Sequence, residues 1–335
     1  MSQNTQSSIL KNTLIIIISL CFAAVFMWLA LRGLEFKAIR ESLSQANYWW
    51  IFISVVFGLM AYWIRAIRWN LLLEPLGYSI SSANSLWSLS FGYLMNLTIP
   101  RSGEIARSTA LYSVEKVPVD KSFGTIVLER VVDLVCMLLF LGLSLVFKAG
   151  AIYSFYAQSG ISINPALIIG IVLMGLIGSI LFFILKERLK KLRFIGKIIG
   201  FIEGIFDGLL SIFRLKKKVL FIIESLGIWL CYYMATYMAC FALPETADFS
   251  ITDGFFIVVV GTLGMMIPAS GGIGAYHFAL KLGISALFLS MGRDADEGAR
   301  IGLSYAFLSH SVQLVIMLVM GIISIPMLAK ARKRA

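Results

Sequence analysis

Apolar runs long enough to cross a bilayer alternate along the chain with short polar or charged stretches. A spanning helix takes about 20 apolar residues. By that measure Leu14–Leu31 is a first span, Trp49–Ile64 a second, Ser122–Phe147 a third, Pro165–Leu185 a fourth, Val219–Leu243 a fifth and Ile301–Leu328 a last. Tyr48, Trp49 and Trp50 form an aromatic belt of the kind found at a membrane–water interface. Two further apolar stretches, 83–118 and 252–290, are each broken near the middle.

The first break falls within Gly92–Arg107, GYLMNLTIPRSGEIAR. Pro100 and Gly103 interrupt a helix there, and Arg101, Glu104 and Arg107 follow directly behind hydrophobic sequence. At membrane depth such a break survives only where protein buries it or a cavity adjoins it. The pattern recurs 168 residues later: IPRSGEI at 99–105 is echoed by IPASGGI at 267–273, with Pro268, Gly271 and Gly272 as hinge positions and five of seven residues identical. The pattern predicts two re-entrant helical hairpins in an all-α polytopic membrane protein with about six full spans.

Composition agrees and adds orientation. The 335 residues are 59% hydrophobic and 14% charged, with mean hydropathy +0.88. A soluble domain carries about 25% charged residues. A net charge of +11 would suggest nucleic acid in a soluble protein. Here the charges sit between spans, so anionic lipid and topology account for them, with no nucleic-acid partner. Segment 186–218 holds ten basic residues against three acids, and the chain ends Lys330, Arg332, Lys333, Arg334. Both belong on the cytoplasmic side. Loop 148–164, with Lys148 alone, and the acidic loop 244–253 belong outside; loop 32–47, with Arg32, Lys37 and Arg40, runs against the trend. Lys11 precedes an apolar run without a small-residue cleavage site, which predicts a retained first span and cytoplasmic termini. The membrane expected is a bacterial inner one.

These sides make the first hairpin open from the cytoplasm and the second from outside. The order span, span, hairpin, span is then repeated with opposite orientation, an inverted repeat of the transporter kind. Its parts are a first repeat (1–150), the first span of the second repeat (151–185), a basic amphipathic cytoplasmic helix (186–218), the remainder of the second repeat (219–329) and a basic tail (330–335). In the helix 186–218, Gly196, Gly200, Gly204 and Gly208 recur every fourth residue beside an apolar stripe, which suits packing on the inner leaflet or on the bundle.

The candidate site is a charged constellation. Glu104 and Arg107 share a helix face, as do Glu129 and Asp133, with Arg130 and Asp133 three apart. Two accounts stay open. The charges form an ion-pair network holding the hairpin to the third span, or Arg101 and Arg107 receive a lipid phosphate while Glu104, Glu129 and Asp133 organise them. Arg65 and Arg68, behind the second span, either snorkel to headgroups or line an inner vestibule. Asn96 is a helix–helix hydrogen-bonding group or a ligand, and His277 is a satisfied interior histidine or has a proton-coupled or headgroup-contacting role. His310 and Gln313 are read as hydrogen-bonding glue on the last span. Two histidines in the chain and four cysteines without metal spacing give no metal site, and no cofactor or phosphate-binding loop is indicated.

RAIRWNLLL (65–73), NLTIPRSGEIAR (96–107), LERVVD (128–133) and IPASGGIGAYH (267–277) together resemble the lysylphosphatidylglycerol synthase transmembrane-region family of flippase-like integral membrane proteins. Two positions depart from it: His277 stands where the family often has an acidic residue, and Ala269-Ser270 replaces a proline-containing turn. In bifunctional members this region is joined to a soluble aminoacyl-transferase domain. The resemblance therefore implies the translocation half. The function expected is a flippase or transporter for an anionic or polyprenyl-phosphate-linked lipid. A membrane enzyme acting on a lipid phosphate, or an accessory subunit of envelope assembly, is the alternative. The partners are membrane lipids with anionic headgroups, with room for a homo-oligomer or envelope-biosynthesis proteins.

Overall fold

The computed structural model describes residues 43–99, 101–159 and 210–334, and besides them 17, 21, 24–29, 40, 41 and 203. Pro100, the fourth expected span and most of the helix expected over 186–218 lie outside the described residues. The first span is described only at 17, 21 and 24–29, which are helical.

The described chain is helical, and no strand occurs in it. Its helices are α1 (Tyr48–Leu73), α2 (Ser82–Thr98), α3 (Gly103–Glu115), α4 (Val119–Phe147), α5 (Ala149–Ser159), α6 (Lys218–Cys240), α7 (Ile251–Met266), α8 (Ala275–Ser290) and α9 (Ala295–Arg332). Among the described residues, 5 helical stretches are long and apolar enough to cross a membrane. This is a polytopic α-helical membrane protein.

Several boundaries move for physical reasons. The second span does not stop at Ile64: α1 runs on through Arg65 and Arg68 to Leu73, because both arginines face carboxylates of α4. The loop expected at 148–164 is in part helix α5, whose Ala151 is buried in the main apolar core with Ala279 and Leu280 of α8. The last helix begins earlier than the apolar run, at an Asp294 cap that accepts from the backbone of Asp296 and Glu297. Helix α7 begins on a capping box in which Ser250 and Asp253 satisfy each other's end of the helix.

Loop contacts define two ends of the bundle. At one, Lys217 meets Glu74 at 3.5 Å, and Glu115 accepts from Asn84 at 2.7 Å. At the other, Lys148 pairs with Asp253 at 2.7 Å, Arg293 with Asp248 at 3.5 Å, and the Asn47 amide donates to Ala242 at 2.8 Å. Helices α2 and α3 leave the first end and return to it. Helices α7 and α8 do the same from the second.

Glycine permits both turns. Within the first hairpin, a Cβ on Gly103 would lie 2.5 Å from both the Asn96 side chain and the Gly92 carbonyl. The backbones of α2 and α3 therefore touch directly, and the Gly103 amide donates to Asn96 Oδ1 at 2.7 Å. In the second turn, Gly271, Gly272 and Gly274 have φ of 58°, 76° and 82°, a region L side chains rarely occupy. The halves α1–α2–α3–α4 and α6–α7–α8–α9 thus repeat helix, hairpin, helix in opposite directions.

Gly103→Val should force the first hairpin apart and destabilise the protein by about 1–3 kcal/mol, as overpacking does. Gly142→Ala, where an added Cβ meets nothing within 4 Å, should leave stability unchanged or slightly raised. Thermal unfolding of both variants in one detergent compares the two.

Candidate anion site between the hairpin tips

Helix periodicity builds the charged layer. Glu129 and Asp133 lie one turn apart on α4, and Arg65 and Arg68 lie one turn apart on α1. Arg65 Nη1 reaches Asp133 Oδ2 at 2.9 Å, and Arg68 Nη2 reaches Asp133 Oδ1 at 3.2 Å and Glu129 Oε1 at 3.5 Å. From the return limb of the hairpin, Arg107 Nη1 meets Glu129 Oε2 at 2.6 Å. Its guanidinium stacks 3.6 Å from the Trp69 ring centre, and the Trp69 indole donates to Thr125 at 2.9 Å. Arg65 also donates to Tyr232 at 3.2 Å, and Arg68 to Ser225 at 3.2 Å. Nearer the open side, Arg130 lies 3.6 Å from Glu104 and 3.5 Å from Asp133. Arg68 and Glu129 are both fully buried. Buried charges of this kind persist when paired and hydrogen-bonded.

Arg101 is different. Its backbone is left-handed, with φ 61°. Among the described residues no carboxylate pairs with it. Its guanidinium instead donates to the Met266 carbonyl, at the tip of the opposite hairpin. Beside it, the Leu97 side chain packs at Gly271. The two broken tips therefore meet.

They meet at a cavity of about 380 Å³. Its polar wall includes Arg65, Asn96, Arg101, Glu104, Arg130 and Asp133, and the second tip contributes Pro268, Gly271 and Gly272. Three arginines face two carboxylates, so the wall carries one positive charge in excess. Tyr62, Tyr93, Tyr232, Trp229 and Gln313 also line it, with Tyr276 and Ser309 among the other polar groups. Tyr62 Oη and Trp229 Nε1 are buried and without a hydrogen-bonding partner.

The candidate residues thus divide. Asn96, Arg101, Glu104, Arg130 and Asp133 line the cavity, and Arg107 and Glu129 stand one layer behind. Arg65 and Arg68 are buried and ion-paired, so neither extends toward headgroups; Arg65 borders the cavity itself. His277 is not in the wall. It sits behind the second turn, 4% exposed, against His310 and Phe307. The tyrosines were legible by spacing alone, since Tyr62 stands three before Arg65 and Tyr93 three before Asn96, one helical turn in each case. Among the described residues, no three His, Cys, Asp or Glu side chains gather as a metal-binding group.

Long apolar helices, two opposed broken hairpins and a charged cavity where they meet define a polytopic membrane protein with an interior polar site. The chain belongs to the lysylphosphatidylglycerol synthase TM region family, whose pattern matches residues 16–321. It is similar to UPF0104 membrane protein MJ1595 of Methanocaldococcus jannaschii, 25% identical over 58% of this chain and 55% of that protein. It is also similar to Glycosyltransferase AglD of Haloferax volcanii, 23% identical over 80% of this chain and 47% of that protein. The chain spans about half the length of these curated relatives. No solved structure matches it significantly.

Removing Glu129 leaves Arg107 and Arg68 buried without their shared partner, so Glu129→Ala should cost about 3–5 kcal/mol. Arg130→Ala removes two pairs, to Glu104 and Asp133, whose arginine is 44% exposed, and should cost no more than about 1 kcal/mol. Denaturation of the two variants in detergent measures the difference.

Proposed function

We propose that the protein moves a phosphate-bearing anionic lipid between the leaflets of a membrane, with the headgroup passing through the cavity between the hairpin tips. The observation that carries this reading is Arg101. It is the cavity's one arginine without a carboxylate among the described residues, and it stands where the two opposed breaks meet. A phosphate oxygen would replace the Met266 carbonyl as its acceptor. Tyr62 and Trp229 would offer hydrogen bonds they do not use within the protein. The remaining arginines are held in place by Glu104, Glu129 and Asp133.

Alternating access follows from the opposed hairpins. Displacement of the second tip would open the cavity to one side, and displacement of the first to the other. On this reading the basic end, with Lys216, Lys217, Lys218 and the 330–334 tail, faces the cytoplasm. Both hairpins are then re-entrant. The membrane would be the cytoplasmic membrane, and the substrate an anionic or polyprenyl-phosphate-linked lipid.

A second reading draws on the similarity to a relative named a glycosyltransferase over 80% of this chain. Under it the cavity holds a lipid phosphate for a transfer reaction. The two separate on the product: translocation leaves every lipid chemically unchanged.

Purified protein in liposomes should exchange fluorescent phosphatidylglycerol or a polyprenyl-phosphate analogue between leaflets faster than phosphatidylcholine. Arg101→Ala should slow that exchange at least tenfold without unfolding the protein. Absence of exchange for every lipid by folded protein would overturn the reading.

A further inference from the structure

The second turn carries a structure that anion binding does not explain. His277 on α8 and His310 on α9 bring their rings to 5.0 Å between centres. They are 4% and 1% exposed, and the Nδ1 atoms of both are buried with no hydrogen-bonding partner. His310 Nε2 lies 2.9 Å from the Gly271 carbonyl oxygen. A carbonyl only accepts, so Nε2 carries the proton and, in the neutral ring, Nδ1 is a bare lone pair. The ring thereby pins a residue whose φ is 58°, in a turn with two further left-handed glycines.

The surroundings of the pair are apolar or neutral. Tyr276 stacks 4.8 Å from His310, and Phe307 lies 4.6 Å from His277. Tyr276 Oη is engaged with Ser309 at 3.1 Å. From α7, Met265 packs at Gly272, and from α2, Leu97 packs at Gly271. Among the described residues, charged groups on the packed elements are Lys281, one turn along α8, which bonds the Leu29 carbonyl and feels Asp296 of α9, and Arg101, which bonds the Met266 carbonyl. Among the described residues no carboxylate pairs with either imidazole.

We infer that the His277–His310 pair is a proton-binding site that releases the second hairpin turn, and that proton and anionic headgroup bind cooperatively. The step is one addition: a proton from water joins the lone pair of His310 Nδ1, giving an imidazolium, and no bond breaks. The new N–H has no acceptor where the ring now lies. The cavity is the polar space next to it, since Gly271, Gly272, Ser309 and Gln313 line the cavity wall. Turning toward it means giving up the Gly271 carbonyl, which frees the glycine turn. A phosphate in the cavity supplies a countercharge that the described residues around the pair do not. By linkage, proton uptake then favours the anion, and the anion favours proton uptake to the same degree. This coupling rests on the translocation reading; the proton site does not.

The chain has 2 histidines, so histidine labelling reports on this pair alone. The experiment is nitrogen NMR of 15N-histidine protein in nanodiscs of phosphatidylcholine, with and without phosphatidylglycerol. With phosphatidylglycerol supplying the countercharge, one ring should gain a proton between about pH 8 and pH 5, the histidine range, and without it only at lower pH. Phosphatidylglycerol should move that midpoint upward by about half a unit or more, in keeping with an allosteric coupling. His310→Gln keeps an N–H for the Gly271 carbonyl but cannot bind a proton. In that variant, checked for fold by its melting temperature, the His277 signal should not titrate, and leaflet exchange should lose its pH dependence. Two rings neutral down to about pH 4.5 in both lipids, or a titration that survives His310→Gln, overturns the site. An equal midpoint in the two lipids overturns the coupling. Normal titration with no exchange of any lipid would leave the site standing and sink the translocation reading instead.

Discussion

Glu129 is wholly removed from solvent in α4, and two helices are arranged to answer its charge. Arg68 comes from α1 and Arg107 from the return limb of the first hairpin. Asp133, one turn on, takes Arg65 and shares Arg68. Two carboxylates on one helix thus fix the position of the long helix before the hairpin and of the hairpin itself. Everything that lies at the first tip, Asn96 and Arg101 included, depends on that anchoring. The ion-pair network is therefore compatible with the proposed anion site as part of one arrangement. The buried pairs hold the frame, and Arg101 is left over at its edge.

Among the described residues the second half shows no such layer. Its tip is held by close packing and by single hydrogen bonds. Gly264 abuts the Tyr276 and Ala275 backbone, Gly283 abuts Val260, and His310 holds one carbonyl of the turn. The inverted repeat is thus symmetric in its backbone and asymmetric in its forces. Buried ion pairs hold the first hairpin, and packing with single hydrogen bonds holds the second.

Much of this was legible in the sequence. The echo of IPRSGEI in IPASGGI located both breaks, and loop charge gave their opposed entry. The spacing of Glu129, Asp133, Glu104 and Arg107 placed them on shared faces. What escaped was long-range. Arg65 and Arg68 look like residues closing a span, because an apolar run ends there. Only the neighbouring α4 reveals that they point inward, at residues more than sixty positions away. The contact of Arg101 with Met266 joins the two repeats and has no local signature. His310 read as simple glue, since its partners, Gly271 and His277, are neighbours only once α8 and α9 pack. Helix α5 hid in a loop that was judged by its charge alone.

The account turns on the two breaks meeting, tip to tip, in the interior. The direct measurement is cross-linking of Leu97→Cys with Ser270→Cys by a short bismaleimide, in membranes, after replacing Cys21, Cys136, Cys231 and Cys240. The structure packs Leu97 against the turn that contains Ser270, so an efficient intramolecular cross-link is predicted. No cross-link in folded, membrane-inserted protein, with each cysteine instead reacting from the end of the bundle where its own hairpin begins, would contradict it.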